Sequence, residues 1–162
     1  MTSGIKRKVI MGLGASLVSL IAASGVYANE ATSERHAAAA TQYRQALFQL
    51  VRSNMAPLGG MAKGAIPFDE SVMKTNAVRL EQLADMMSDY LVTDTSKFDV
   101  ETSAKDEMWE DFSDVEAKID AMRAAAQNLA SVVEAGDTDG YRAAIGKVGG
   151  SCKSCHDAYK AD

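Results

Sequence analysis

Proline is scarce in this chain, with only Pro57 and Pro67, and no stretch alternates apolar and polar residues at the two-residue period of a strand. That combination excludes a turn-rich β-sandwich or barrel and leaves long uninterrupted helices. Cysteine and histidine are scarcer than their chemistry usually needs, with Cys152, Cys155, His36 and His156 the whole supply. Two thiols three residues apart would close a loop too small to stabilise a fold much, so a disulfide framework is excluded. Positive charge is in deficit: 17 basic residues against 22 acidic ones leave a formal net charge of −5. An acidic surface argues against nucleic acid or an anionic membrane as partner, because both attract basic patches. The sequence also lacks a phosphate-binding glycine loop, a nucleophile with a base beside it, and a paired acid and base, so nothing points to an enzyme in the ordinary sense.

What is present begins with an address. Lys6, Arg7 and Lys8 form a basic start, Val9 to Val26 carries no charge and many small residues, and Val26-Tyr27-Ala28 offers a cleavage site. Residues 1–28 are therefore expected to be a signal peptide cleaved after Ala28, placing the product in the periplasm and off the membrane. The rival reading is an uncleaved anchor, since the uncharged run could just span a bilayer. With the three basic residues of the leader gone, the net charge moves from −5 to −8. Residues 29–162 are long enough for one domain with its own core.

Ala, Met, Leu, Glu and Lys dominate that domain, and the fold class expected is all-α, an antiparallel up-and-down four-helix bundle. The series Met73, Ala77, Leu80, Ala84, Met87, Leu91 steps by four and three, as do Met108, Phe112, Val115, Ile119, Met122, Ala126, Leu129, Val133 and Tyr141, Ile145, Val148, Cys152, Cys155, Tyr159. A stagger of that kind lays one apolar seam along each helix. The first helical segment, about Thr32 to Met55, is less regular and places Tyr43, Ala46, Leu47, Leu50 and Val51 on one face. "PLGGMAKGAIPFD", "VTDTSKFDVETS" and "EAGDTDG" separate the segments, with Asp69, Ser103 and Asp137 as expected N-caps.

The chemistry is concentrated at residues 152–156, Cys-Lys-Ser-Cys-His. Cys-x-x-Cys-His is the attachment sequence of c-type haem, in which two thiols add across the porphyrin vinyl groups and the imidazole ligates iron. Residues i, i+3 and i+4 of a helix share a face, so Cys152, Cys155 and His156 can address one macrocycle. Gly149 and Gly150 just before them remove side chains where a flat ring must approach. A thioredoxin-type pair would sit at a helix start after a strand, and zinc would need four ligands from a set in which two crowd one turn. His36, beside a polar Ala-rich run, reads as a solvated histidine.

With "YRQALFQL" (43–50), "MAKGAIPFD" (61–69), "DEMWEDF" (106–112) and "GKVGGSCKSCHDAYK" (146–160), the sequence resembles the cytochrome c′ family, the class II c-type cytochromes, over essentially all of residues 29–162. The resemblance implies one covalent haem c, high-spin and five-coordinate, homodimerisation through the first two helices, and binding of NO and CO with poor binding of O2. It implies Cys152 and Cys155 as thioether positions and His156 as the proximal ligand. Arg44 and Gln45 would approach the haem propionates, Phe48 would cover the distal face, Lys160 would stand beside the proximal histidine, and Ser103 would lie near a propionate. Arg44 and Phe48, at i and i+4, share a stripe continued by Val51 and Met55. Phe48 has no lone pair for iron, so the expected function is binding of gaseous ligands, with electron transfer to a redox partner protein secondary. The alternative is a low-spin, six-coordinate electron carrier with Met55 as the nearest sixth ligand.

Overall fold

The computed structural model describes residues 27–161, so the expected leader lies almost wholly outside the described residues. Seven elements follow in order: β1 (Asn29–Glu30), α1 (Glu34–Ala62), α2 (Glu70–Leu91), β2 (Thr93–Asp94), α3 (Glu107–Glu110), α4 (Phe112–Glu134) and α5 (Tyr141–Tyr159). Four long helices form the bundle, with α1 packed on α2 and α5, and α4 packed on the same two. Each helix thus neighbours the next in sequence, the arrangement that short connections impose on an up-and-down bundle.

The apolar seams of α2 and α4 fall where their periodicity puts them: every residue of both series is buried, from Met73 to Leu91 and from Met108 to Val133. On α5 the seam is buried at Tyr141, Ile145 and Val148 and then becomes half-exposed at Cys152, Cys155 and Tyr159. The change marks the place where the helix stops facing its neighbours and faces a cavity.

The first helix departs from expectation in two ways. It runs through Pro57 to Ala62 instead of ending near Met55. A proline inside a helix removes one hydrogen bond and costs about 3 kcal/mol. Beyond it, however, Leu58 and Met61 are buried at 0% and 2% exposure, and each such burial is worth about 1.5–3 kcal/mol, enough to carry the helix on. Its inward face is also different: Leu47 and Val51 are buried, but Tyr43, Ala46 and Leu50 are exposed. The inward stripe instead includes Thr41, Arg44 and Asn54. Three polar residues in a core-facing row conceal the row from a reading based on hydrophobicity.

The caps are mixed. Asp69 caps α2, accepting from the Val72 N–H at 2.9 Å, whereas Ser103 caps no helix. The Met108–Val133 seam is divided by Asp111 (φ −131°, ψ 79°) into one-turn α3 and long α4. Asp137 lies in the connection ahead of α5, whose N-cap is Gly140; the Asp137 side chain accepts from the Gly140 N–H at 3.2 Å. At the C-termini of α1 and α4, Gly64 and Gly136 take positive φ of 73° and 64°. Each closes a paired backbone turn, Gly64 N–H to Met61 O with Ala65 N–H to Gly60 O, and Gly136 N–H to Val133 O with Asp137 N–H to Val132 O.

The connection between α2 and α3 ties the bundle ends together. β1 and β2 pair in parallel, Trp109 donates its indole N–H to Leu91 O at 2.9 Å, and Ala104 bridges antiparallel to Lys160. No described helix is long and apolar enough to cross a membrane.

Candidate cofactor site

A cavity of about 560 Å³ opens between α1, α4, α5 and the 102–104 segment, within the range of small-molecule and cofactor pockets. α5 contributes Gly149, Ser151, Cys152, Cys155, His156 and Tyr159 to its wall, with Lys160 just beyond. The opposite wall is α1, with Arg44, Gln45, Phe48, Val51 and Met55, and the floor is apolar, including Leu91, Ile119, Met87, Met108 and Met122. All eight residues singled out from sequence, Cys152, Cys155, His156, Arg44, Gln45, Phe48, Lys160 and Ser103, line this one cavity. His36 does not; it is exposed and its ring faces Thr32 at the start of α1.

Cys152 and Cys155 are unpaired and half-buried, and burial pushes both thiols above their ordinary range, opposed at Cys155 by the nearby charge of Lys118. Burial thus favours the thiol, the form that carries the hydrogen needed to add across a vinyl double bond, over the thiolate. Among the described residues no three His, Cys, Asp or Glu side chains converge as a metal-ion cluster. A Cβ built on Gly149 meets nothing within 4 Å, so this part of the wall opens on free space.

Arg44 is the electrostatic centre of the α1 wall. It is 3% exposed, and burial lowers its pKa. Among the described residues its Nη1 is the one buried side-chain nitrogen or oxygen without a hydrogen-bond partner. The Lys, Arg, Asp and Glu residues lining the cavity are Arg44, Arg52, Lys118 and Lys160, all of them cations. In a chain of net charge −5 that local excess fits an apolar ligand that carries carboxylates. Haem has that character, and the Cys-x-x-Cys-His turn lies on the facing wall.

A family model described as Cytochrome C′ matches residues 39–160. The chain belongs to the cytochrome c′ family. A cytochrome c′ of Cereibacter sphaeroides is 38% identical over 89% of this chain and 95% of its own. The solved cytochrome c′ of Shewanella frigidimarina is 33% identical, with a TM-score of 0.71 over 78% of this chain and 97% of the other. That of Rubrivivax gelatinosus is 32% identical, with a TM-score of 0.68 over 77% and 97%. Members of this cytochrome c′ family carry covalently attached haem c, and the cofactor of this chain is haem c.

Helix α5 ends at Tyr159, and Lys160 has extended backbone (φ −111°, ψ 127°). Lys105 N–H donates to Tyr159 O at 2.9 Å and Ala161 N–H to Ser103 O at 2.8 Å, holding the backbone on both sides of it. The Ser103 carbonyl oxygen thus anchors the chain after Lys160, and Ser103 also lines the cavity.

Sequence reasoning missed the supports. Gln45 donates to Glu101 O at 2.9 Å, Tyr159 donates its hydroxyl to Asp114 at 2.5 Å, and Lys118 stands 3.4 Å from Asp114 and from Ser154 Oγ. Lys118 also lies 6.0 Å over the Tyr159 ring. Of these residues only Tyr159, in the apolar seam of α5, carried any signal of these contacts in the sequence.

Proposed function

We propose that the protein is a periplasmic cytochrome c′, released after Ala28, whose haem is held by thioether bonds to Cys152 and Cys155 with His156 as the proximal iron ligand. When bound, the haem supplies an iron centre with one open coordination position and a one-electron redox change. The observation that carries the reading is the cavity that joins the Cys-x-x-Cys-His turn to a buried Arg44 with an unpartnered nitrogen.

In this reading Arg44 and Gln45 would hold the haem carboxylates at the α1 edge, and Phe48 would cover the open face of iron. Phe48 offers no lone pair and no hydrogen-bond donor. A ligand that gains from a distal donor, as O2 does, is disfavoured relative to NO and CO. The function proposed is therefore binding of NO and CO at a five-coordinate, high-spin iron, with electron exchange with a redox protein as a second role. Lys160 and Ser103 complete the proximal edge. The second reading, a six-coordinate electron carrier, draws on Met55, which lines the cavity on the Phe48 stripe.

A homodimer through α1 and α2 forms part of the proposal. Tyr43 and Leu50 on α1 are 60% and 54% exposed, and Val78 and Met86 on α2 are 40% and 41% exposed. Tyr43 meets Tyr90 edge to face with ring centroids 6.5 Å apart, so the apolar side chains of the two helices adjoin.

Intact mass of the periplasmic product tests the attachment. The expected value is the chain from Asn29 plus one haem, retained in acid and organic solvent. Haem that extracts into butanone would defeat the proposal.

A further inference from the structure

The guanidinium of Arg44 is surrounded by hydroxyls and an indole where a buried cation ordinarily meets a carboxylate. Its Nη2 lies 3.3 Å from Thr41 Oγ1, 3.3 Å from Thr95 Oγ1 and 3.5 Å from Thr102 Oγ1. Its Cζ stands 5.2 Å from the centroid of the Trp109 ring, within cation–π range. Thr95 is 1% exposed and Thr41 4%, and Trp109 is itself fixed by its bond to Leu91 O. No ion pair among the described residues includes Arg44. These partners come from three places: Thr41 from one turn earlier on α1, Thr95 and Thr102 from the connection after α2, and Trp109 from α3.

The chemistry of the set is uniform. A hydroxyl or a ring face orients a guanidinium without neutralising it, whereas a carboxylate at the same distance would neutralise it. One nitrogen takes all three hydroxyls, and the other, Nη1, is buried without a partner. A cation left uncompensated in the wall of an apolar cavity is costly until a counter-charge arrives. We infer that Thr41, Thr95, Thr102 and Trp109 are positioning residues that hold Arg44 oriented but unneutralised, reserving its charge for a carboxylate of the haem. The inference rests on the haem reading proposed for the cavity. It adds a function for four residues that touch Arg44 and act through it, and it explains why the inward stripe of α1 and the connection after α2 carry threonines.

The consequence is electrical. A positive charge held against a haem carboxylate favours the reduced centre and keeps that carboxylate ionised. The experiment measures the midpoint potential of the haem-loaded protein as a function of pH for wild type, Arg44→Met, Thr95→Val, Thr95→Ser and the double variant Arg44→Met/Thr95→Val. Arg44→Met is expected to weaken the preference for the reduced form roughly tenfold, a fall of about 59 mV for one electron, and to move the carboxylate's pH dependence upward. Thr95→Val is expected to move both in the same direction by less, Thr95→Ser to restore them, and Thr95→Val to add nothing once Arg44 is gone. A shift for Arg44→Met with none for Thr95→Val would overturn the positioning role and leave the carboxylate pairing intact. No shift for either would overturn the pairing as well. Equal Thr95→Val shifts in both backgrounds would show that the hydroxyl acts on the haem directly, which also overturns the role. Should Thr95→Val fail to retain haem, Thr41→Val makes the same comparison from α1.

Discussion

Phe48 sits on the boundary between cavity and solvent, 38% exposed and one helical turn from the buried Arg44. As a lid it controls access more than it stabilises the core, so Phe48→Ala should raise the association rate of CO. It should cost less than the 3–5 kcal/mol typical of a fully buried Phe. Flash photolysis of the ferrous CO form checks this, and unchanged kinetics in a folded variant would remove Phe48 from the site. Tyr159 and Asp114 make a pH prediction on the other wall. Burial, with the hydrogen bond to Asp114, pushes the Tyr159 hydroxyl well above its ordinary value of 10.0. Its contribution is therefore complete below about pH 10 and lost as pH rises toward the folded-state value. That same hydrogen bond holds Asp114 below its ordinary value of 3.8, so the carboxylate's contribution is present above that pH and lost as pH falls further. Tyr159→Phe should flatten the alkaline limb of a stability-against-pH curve and weaken the acid limb; equal curves for the two proteins would dismiss the pair. At this scale Cys152, Cys155 and His156 were legible because they are rare and adjacent. Thr95 was not, since a threonine in a polar connection gives no sign that it will be 1% exposed beneath a guanidinium 51 residues away.

Elements were legible in proportion to how apolar their inward faces are. The seams of α2 and α4 consist of Met, Leu, Ala, Val, Ile and Phe, and all of them are buried. The face of α1 was misread because it turns Thr41, Arg44 and Asn54 inward and Tyr43 and Leu50 outward. The cavity accounts for Arg44, and an apolar surface patch accounts for the tyrosine and leucine. Helix α1 also passes Pro57, which local propensity marks as a stop, because the buried Leu58 and Met61 lie past it. Leu58→Ala should therefore cost about 2–5 kcal/mol and preferentially unravel the end of α1, seen as lost amide protection from Met55 to Ala62. Asp69→Ala, which removes the cap of α2, should cost about 1 kcal/mol in thermal unfolding without altering the haem spectrum. A spectrum that changed with Asp69→Ala would mean that the start of α2 is coupled to the cavity, contrary to a cap that stabilises its own helix alone.

The whole molecule is a bundle whose cavity is closed at one end by a single connection. Residues 93–105 pair with the N-terminal strand, hold Arg44 and Gln45 from α1, and bridge to the backbone that follows His156. The bundle topology was legible from four segments and three separators; the bonds that the middle separator makes were not, because they run to backbone groups and small hydroxyls that leave no hydrophobic pattern. At the level of assembly, Leu50→Glu should shift the protein toward monomer in sedimentation while leaving the haem spectrum unchanged. An unchanged oligomer would place the contact elsewhere than on the exposed side of α1. The central claim is that the cavity presents a haem iron ligated by His156 on one side and left open beneath Phe48 on the other. The measurement that addresses it most directly is the absorption spectrum and spin state of the purified ferric and ferrous protein, with and without NO. High-spin, five-coordinate spectra in both oxidation states, changing on addition of NO, are the predicted result. Low-spin, six-coordinate spectra that resist NO would contradict the open face and identify a side chain such as Met55 as the sixth ligand.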